Sequence, residues 1–227
     1  MPMSFDIKLK GARTMMKRLP ATMAAFATAA FVCGTAWWPA QGADVMPQPG
    51  SPAPAFTAKD IGDRTVNLAD YRGKTIILEW TNNGCPFVGK HYNSGNMQAL
   101  QHRFTAAGDV WLTIASSAPG ELGYVTPDEA RADIGHWKAA PTDYLLDPDG
   151  VVGHLYAARA TPHMVVIDPQ GVVAYIGAID NKPSVDVADV KTAKNYVASA
   201  LEELAAGKPV SVAATRDYGC SVKYKTS

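Results

Sequence analysis

Of the three cysteines in this chain of 227 residues, Cys85 has the surroundings of a reactive thiol. It stands in Trp80-Thr-Asn-Asn-Gly-Cys85-Pro-Phe-Val88, after a short apolar run and before a segment of helical pattern. A helix N-terminus presents unpaired N–H groups and a partial positive charge, which favour a thiolate over a thiol. The pKa falls there, and the thiolate is the nucleophile. Pro86 suits the first helical turn, where its missing N–H would be unpaired anyway. The plainer alternative is a buried structural thiol, since free cysteine is among the most buried residue types. Strand end, Gly84, helix start and Pro86 together favour the reactive reading. Val88 stands where a Cys-x-x-Cys pair would put its second thiol, so a local dithiol cycle is impossible.

Five histidines raise the question of a metal. Cys85 with His91 could offer soft sulfur and imidazole to copper, but Val88 denies the loop a second sulfur. His102 and His136 read as solvated helix-face residues, and His154 and His163 as sheet-margin ones, so no metal site is expected. No phosphate loop, dinucleotide fingerprint or serine triad is visible, and Ser116-Ser117 lacks a Gly-x-Ser-x-Gly frame. No cofactor is expected.

The elements that must position Cys85 follow from pattern. Thr75-Ile-Ile-Leu-Glu-Trp80 and Val110-Trp-Leu-Thr-Ile-Ala115 are short apolar runs that suit strands buried on both faces. Met97, Leu100 and Phe104 share a helical face closed by Gly108, and Asn93 with Gly95 predict a break before it. Thr126 and Pro127 open another helix, as N-cap and first-turn residue. Asp143 to Asp147 is strand-like, and Val151 to Tyr156 fits one or two helical turns. Pro162 to Asp168 and Val172 to Gly177 flank Pro169-Gln-Gly171 as a hairpin. A last helix carries Val190, Ala193, Val197, Ala200 and Leu204 on one face and stops at Gly207. The order predicts an α/β fold with a central mixed β-sheet flanked by helices and an antiparallel hairpin at its edge.

Composition narrows the function classes. With 47% hydrophobic and 19% charged residues, most of the chain can bury a core and is not disordered. Its 21 basic and 21 acidic residues leave no electrostatic footprint for nucleic acid. The N-terminus departs from this balance. Lys8, Lys10, Arg13, Lys17 and Arg18 precede an uncharged apolar run from Ala21 to Gly34, and small residues follow at Ala40-Gln-Gly42. That pattern reads as a secretory signal peptide, and the run is short for a membrane span. Cys33 lies in this leader without a proper lipobox. The predicted organisation is a signal peptide over residues 1–43 and a Pro/Gly-rich linker over 44–54. A domain over 55–207 and a C-terminal tail over 208–227 carrying Cys220 follow.

Export leaves two cysteines, Cys85 and Cys220, where disulfides persist. Two such thiols, one without a Cys-x-x-Cys partner, predict a pair. Gly219 would give the tail thiol freedom to move. The bridge would close a loop of well over 100 residues, for which chain entropy gives about 5 kcal/mol. A resolving thiol and a permanent staple fit this pairing equally.

Several segments together resemble a known family. Ala53-Pro-Ala-Phe56, Leu68-Ala-Asp-Tyr-Arg-Gly-Lys74, the Cys85-Pro-Phe-Val box, Thr161-Pro162 and Ile167-Asp-Pro-Gln-Gly171 resemble the thioredoxin-like superfamily. Within it the chain is similar to the alkyl hydroperoxide reductase/thiol-specific antioxidant (redoxin) group. The likeness extends to a peroxiredoxin-like subgroup with Cys-Pro-Phe-Val, Ser-Gly-Asn-Met-Gln and a terminal Gly-Cys-Ser-Val-Lys-Tyr, nearly from Ser51 to Lys225. The resemblance implies a thioredoxin-like fold and Cys85 as the reactive thiol. It also implies that Thr161-Pro162, with a cis bond, lies against that thiol; the plainer reading is an ordinary proline starting a strand. The departures matter as well. The peroxiredoxin pattern wants Thr at Asn82 and Pro at Leu78, with Thr81 one residue out of place, and its arginine falls at Pro162, with Arg159 nearby as a substitute. A bridge from Cys220 to a neighbouring subunit is a third option that the family implies.

The expected function is an exported thiol oxidoreductase. Cys85 attacks a peroxide or a protein or small-molecule disulfide, Cys220 is the catalytic partner, Thr81, Pro86, Arg159, Thr161 and Pro162 border the substrate, and an unidentified thiol donates electrons. No nucleic-acid partner is expected, and the sequence leaves the oligomeric state open. The alternative from another class is a non-catalytic binding module on the same scaffold, such as a metal carrier or a folding partner. The export reading makes one direct prediction. N-terminal sequencing of protein purified from its native host should give a start near Ala43 or Asp44; residues before Trp37 on the soluble form would overturn it.

Overall fold

The computed structural model describes residues 46–226, so the leader over 1–43, including Cys33, lies outside the described residues. In chain order the elements begin with β1 (Thr57–Asp60), β2 (Thr65–Asn67), β3 (Ile76–Trp80), α1 (Pro86–Asn93), α2 (Asn96–Ala106) and β4 (Val110–Ala115). They continue with α3 (Pro127–Trp137), β5 (Asp143–Leu146), α4 (Val151–Leu155), β6 (Ala160–Thr161), β7 (His163–Ile167), β8 (Val173–Gly177), α5 (Tyr196–Ala205) and β9 (Cys220–Ser221). Seven strands form one mixed sheet in the order β2-β1-β5-β4-β3-β7-β8. β3 runs parallel to β4 and antiparallel to β7, which places it at the centre. Every residue of β3 and β4 is buried, as continuous apolar runs covered by helices on both faces require. β8 alternates buried and half-buried residues, the signature of an edge with one core face.

The predicted α/β layers and the edge hairpin are therefore present. The helix break lies between Asn93 and Asn96, where Gly95 has φ of 76°. Thr126 caps α3 through a reciprocal capping box with Glu129. Three features were not anticipated. The β1–β2 hairpin sits at the far edge of the sheet, built from polar residues without an apolar run to announce it. The expected linker is docked over its second half: Gly50 donates to Val173 O, Val173 to Ser51 O, and Ala53 to Gly171 O. Ala53 is buried, so these prolines cover the β8 edge rather than spacing a leader.

The third is the C-terminal segment, expected as an extended tail beyond a completed domain. It packs along the body instead. Ile176 N donates to Ala213 O and Thr215 N to Ile176 O, which carry the chain along β8. β9 then pairs with β6 as a second, two-stranded sheet, Ala160 opposite Ser221 and Thr161 opposite Cys220. Gly219 has φ of +138°, and a Cβ there would collide with the Thr161 carbonyl. The close approach, not mobility, is what this glycine provides.

Two buried polar clusters fix the helices and this segment. Glu79, fully buried on β3, accepts from Tyr92 Oη (2.8 Å), Gln101 Nε2 (3.2 Å), Trp111 Nε1 (2.7 Å) and Thr113 Oγ1 (3.2 Å). One carboxyl thereby ties α1, α2 and β4 to the central strand. Burial pushes its pKa up, against the four donors. The second cluster lies between α1 and the C-terminal segment. Lys90 Nζ donates to Lys182 O (2.7 Å) and lies 3.3 Å from Asp180 Oδ2, both side chains being buried. Tyr218 Oη donates to Asp180 Oδ1. His91 approaches Tyr218 Oη with Nε2 (3.4 Å) and Asn96 Nδ2 with Nδ1 (2.9 Å).

Burial pushes the His91 pKa down to about 4; the Lys90 charge acts in the same direction and Asp180 against it. The unfolded histidine titrates near 6.5, so between these values the unfolded chain holds a proton that the folded chain refuses. Folding stability is therefore lost as pH falls from about 6.5 to about 4. Urea denaturation at pH 7 and pH 4.5 should show a His91 share of about 2–3 kcal/mol, absent from the pH dependence of His91→Gln. Equal pH dependence in the two proteins would refute the assignment.

Candidate active site

Cys85 is the N-cap of α1, with Pro86 at the first helical position. Asn82 prepares this start: its carbonyl accepts from Cys85 N (3.0 Å) and its side-chain oxygen from Gly84 N (2.9 Å), an Asx-type turn. Cys85 is 1% exposed. As a thiol it donates to Thr161 O at 3.2 Å. The Thr161–Pro162 bond is cis, and both residues are buried against the sulfur's side of the fold.

Cys220 completes the site. Strand pairing puts it opposite Thr161, whose carbonyl accepts from the Cys85 thiol, and the two thiols act on each other's ionisation. Both are thiols in this structure. Burial pushes the Cys85 pKa up, but the Cys220 and Thr161 side chains and the Val88 and Cys220 amides outweigh it, and the net direction is down. Cys220 goes the other way: burial first, then the Cys85 thiolate, push it up to about 12. The pair is thus asymmetric: the surroundings favour ionisation of Cys85 and disfavour that of Cys220.

The other residues singled out from sequence divide into those at the thiol and those apart from it. Pro86, Thr161 and Pro162 join Cys85 and Cys220. Thr81 is buried at the end of the central strand, its amide bonded to Ile114 O (3.0 Å) and its hydroxyl unpaired. Arg159 is exposed; its carbonyl accepts from Val222 N (3.0 Å), and its charge acts on Asp217. His91 is turned away to Asn96 and Tyr218. Among the described residues no group of three or more His, Cys, Asp or Glu side chains is placed to hold a metal ion.

Sequence reasoning missed His163 and Asp217. His163 Nδ1 lies 3.5 Å from Asp217 Oδ2, and its ring meets Trp80 edge-on at 5.5 Å. It also missed Lys90, Asp180 and Tyr218. Their signal was a lysine and a histidine in the middle of α1, one turn beyond Cys85. A groove of about 530 Å³ opens at the N-terminus of α1, and its walls include Asn83, Cys85, Pro86, Asp133, His136 and Trp137. Burial raises the Asp133 pKa against its hydrogen bond from Asn83.

Chemically, the arrangement is two thiols with opposite pKa shifts beside a groove, and a thiol with a lowered pKa is more readily ionised.

The chain is similar to several solved structures. The chain is 21% identical to a hypothetical protein from Sinorhizobium meliloti over 79% of this chain and 96% of that one, with a TM-score of 0.66. It is 24% identical to an uncharacterized conserved protein from Geobacillus kaustophilus, covering 83% and 98%, with a TM-score of 0.64. The thioredoxin domain of a thiol-disulfide oxidoreductase from Bacteroides vulgatus matches at 23% identity over 56% of this chain and 86% of that one, with a TM-score of 0.46. No curated protein matches. The mixed sheet flanked by helices is the fold shared with the Sinorhizobium and Geobacillus proteins. The sequence profile described as the AhpC/TSA family matches residues 49–176, more than half of the sequence, and the chain belongs to that family.

Proposed function

We propose that the protein is an exported thiol oxidoreductase in which Cys85 is the nucleophile and Cys220 the resolving thiol. The observation that carries this reading is the seating of Cys220 on Cys85 with opposite pKa shifts. On a hydroperoxide, the Cys85 thiolate attacks the terminal oxygen and the O–O bond breaks. The leaving alkoxide takes up a proton, and the sulfur, oxidised by two electrons, becomes a sulfenic acid. The Cys220 sulfur then attacks the Cys85 sulfur, hydroxide leaves as water, and a Cys85–Cys220 disulfide remains. On a disulfide, Cys85 attacks one sulfur and expels a thiolate, and Cys220 displaces the second thiol from the mixed disulfide. In both routes a thiol donor returns two electrons and two protons. Thr161 and Pro162 hold the Cys85 sulfur, and Pro86 starts the helix behind it. The leader pattern supports a compartment where such a disulfide persists.

The metal-carrier alternative loses its second donor, because both ring nitrogens of His91 face other partners. Dimedone trapping with hydrogen peroxide tests the peroxide route. Cys85 should be oxidised at least about tenfold faster than free cysteine at neutral pH. In the wild type, non-reduced digests should contain linked Cys85 and Cys220 peptides. Cys220→Ser should instead accumulate the dimedone adduct on Cys85. Oxidation no faster than free cysteine would remove the peroxide route, and failure of the two peptides to link after mild oxidation would remove Cys220 as resolver.

A further inference from the structure

The segment from Asp217 to Tyr224 does more at this site than deliver Cys220. The backbone of Thr161 lies against the Cys85 sulfur, and its free edge is where any extended chain could add as a strand. Here that edge is already filled. Cys220 and Ser221 pair with Thr161 and Ala160, Val222 N donates to Arg159 O (3.0 Å), and Ala118 N donates to Lys223 O (2.8 Å).

The fit is built in from both sides. A Cβ at Gly219 would strike the Thr161 carbonyl, one at Gly177 the Thr215 carbonyl, and one at Gly150 or Gly153 the Tyr224 ring. Three of these glycines make room where this segment meets the body, and Gly177 does so just before it, at Thr215. Side chains hold it at two further places. Tyr218 bonds Asp180, with its ring 5.5 Å from Lys90 Nζ and 5.8 Å from Phe87. Tyr224 stacks on His154 at 4.0 Å and donates to Ala158 O.

We propose that this segment occupies in cis the strand-pairing edge of the Cys85 site, and that Gly219 and Tyr218 thereby make the site selective for small oxidants and disulfides over extended polypeptides. The inference rests on Cys85 being the reactive thiol. An extended disulfide-bearing chain must strip β9 from Thr161 before its sulfur reaches Cys85, which is 1% exposed. A small molecule enters at the groove by the start of α1, whose walls include Cys85 and none of the residues from Asp217 to Tyr224.

The test uses two reagents that release the same chromophoric aromatic thiolate. One is a symmetrical small disulfide; the other is an extended peptide whose cysteine carries that aromatic thiol. In each, the Cys85 thiolate forms a mixed disulfide and expels the coloured thiolate, so one absorbance reads both rates. The full chain with Cys33→Ser and Cys220→Ser leaves Cys85 as the sole thiol. With free cysteine as the reference for reagent strength, this protein should prefer the small reagent by at least about tenfold. Gly219→Val should raise the peptide rate by about tenfold and the small-reagent rate by less than about threefold. Tyr218→Phe, which keeps the ring but removes the hydroxyl's bond to Asp180 and its contacts with Lys90 and His91, should raise the peptide rate by about threefold, and it decides the matter if Gly219→Val fails to fold. A preference equal to that of free cysteine, or an equal rise with both reagents, would overturn the proposal. A Cys85 that reacts with neither reagent faster than free cysteine would instead defeat the thiol reading on which it rests.

Discussion

A second strand reaches hydrogen-bonding distance of Thr161 only because residue 219 carries no side chain, and the geometry of the site depends on that contact. It places the Cys220 amide and thiol beside the Cys85 sulfur, and with them two of the hydrogen bonds that lower the Cys85 pKa. It also bears on the difference between the two thiols. Cys85 has in addition the Val88 amide of its own helix. Cys220, on an extended strand, is faced by the Cys85 thiolate, with only Lys223 acting to lower its pKa. A charge shared between two such sulfurs settles on the one with more donors.

The same contact needs support from further away, because one two-residue strand pair is marginal alone. Buried polar groups supply it. A buried ion pair is weak evidence for stability, since desolvation consumes much of the Coulomb attraction, but it specifies register well. Lys90 and Asp180 offer one place that accepts a tyrosine hydroxyl, and Tyr218 fills it. With Tyr218 fixed, Cys220 two residues later has little freedom along the strand. Lys90 belongs to α1, whose first turn begins at Cys85, so the nucleophile and the anchor of its partner ride on one helix. Glu79 in turn fixes that helix to the sheet through Tyr92.

Much of this was legible in the sequence. The central strands, the helix beginning at Cys85, the break before α2, the Thr126 cap and the edge hairpin all follow from local pattern and occur where that pattern put them. The placement of Cys85 at a helix start was legible because its cause is local: a strand end, a glycine and a helix start in six residues. The β1–β2 hairpin was not, because its residues are polar and its partner β5 is distant. The role of Gly219 was misread for a related reason. A glycine used for close approach and one used for mobility look alike until the opposing backbone is known, and that backbone lies about sixty residues away. Lys90 was equally hidden, since charge on a helix ordinarily marks the solvent face, yet it is buried.

Val88 explains why the second thiol comes from so far along the chain. It is wholly buried in the core beside Ile77, Met97 and Val166. A sulfur at that position would be packed among apolar side chains, where a thiolate is costly. The partner thiol must therefore reach Cys85 from outside its helix, and the edge at Thr161 is the approach this fold uses. In a Cys-x-x-Cys site one helical turn fixes both sulfurs. Here one sulfur belongs to the helix and the other to a docked strand, so lifting the strand separates the pair without disturbing the start of α1. The proximity of the two sulfurs therefore depends on the contact between the C-terminal segment and Thr161.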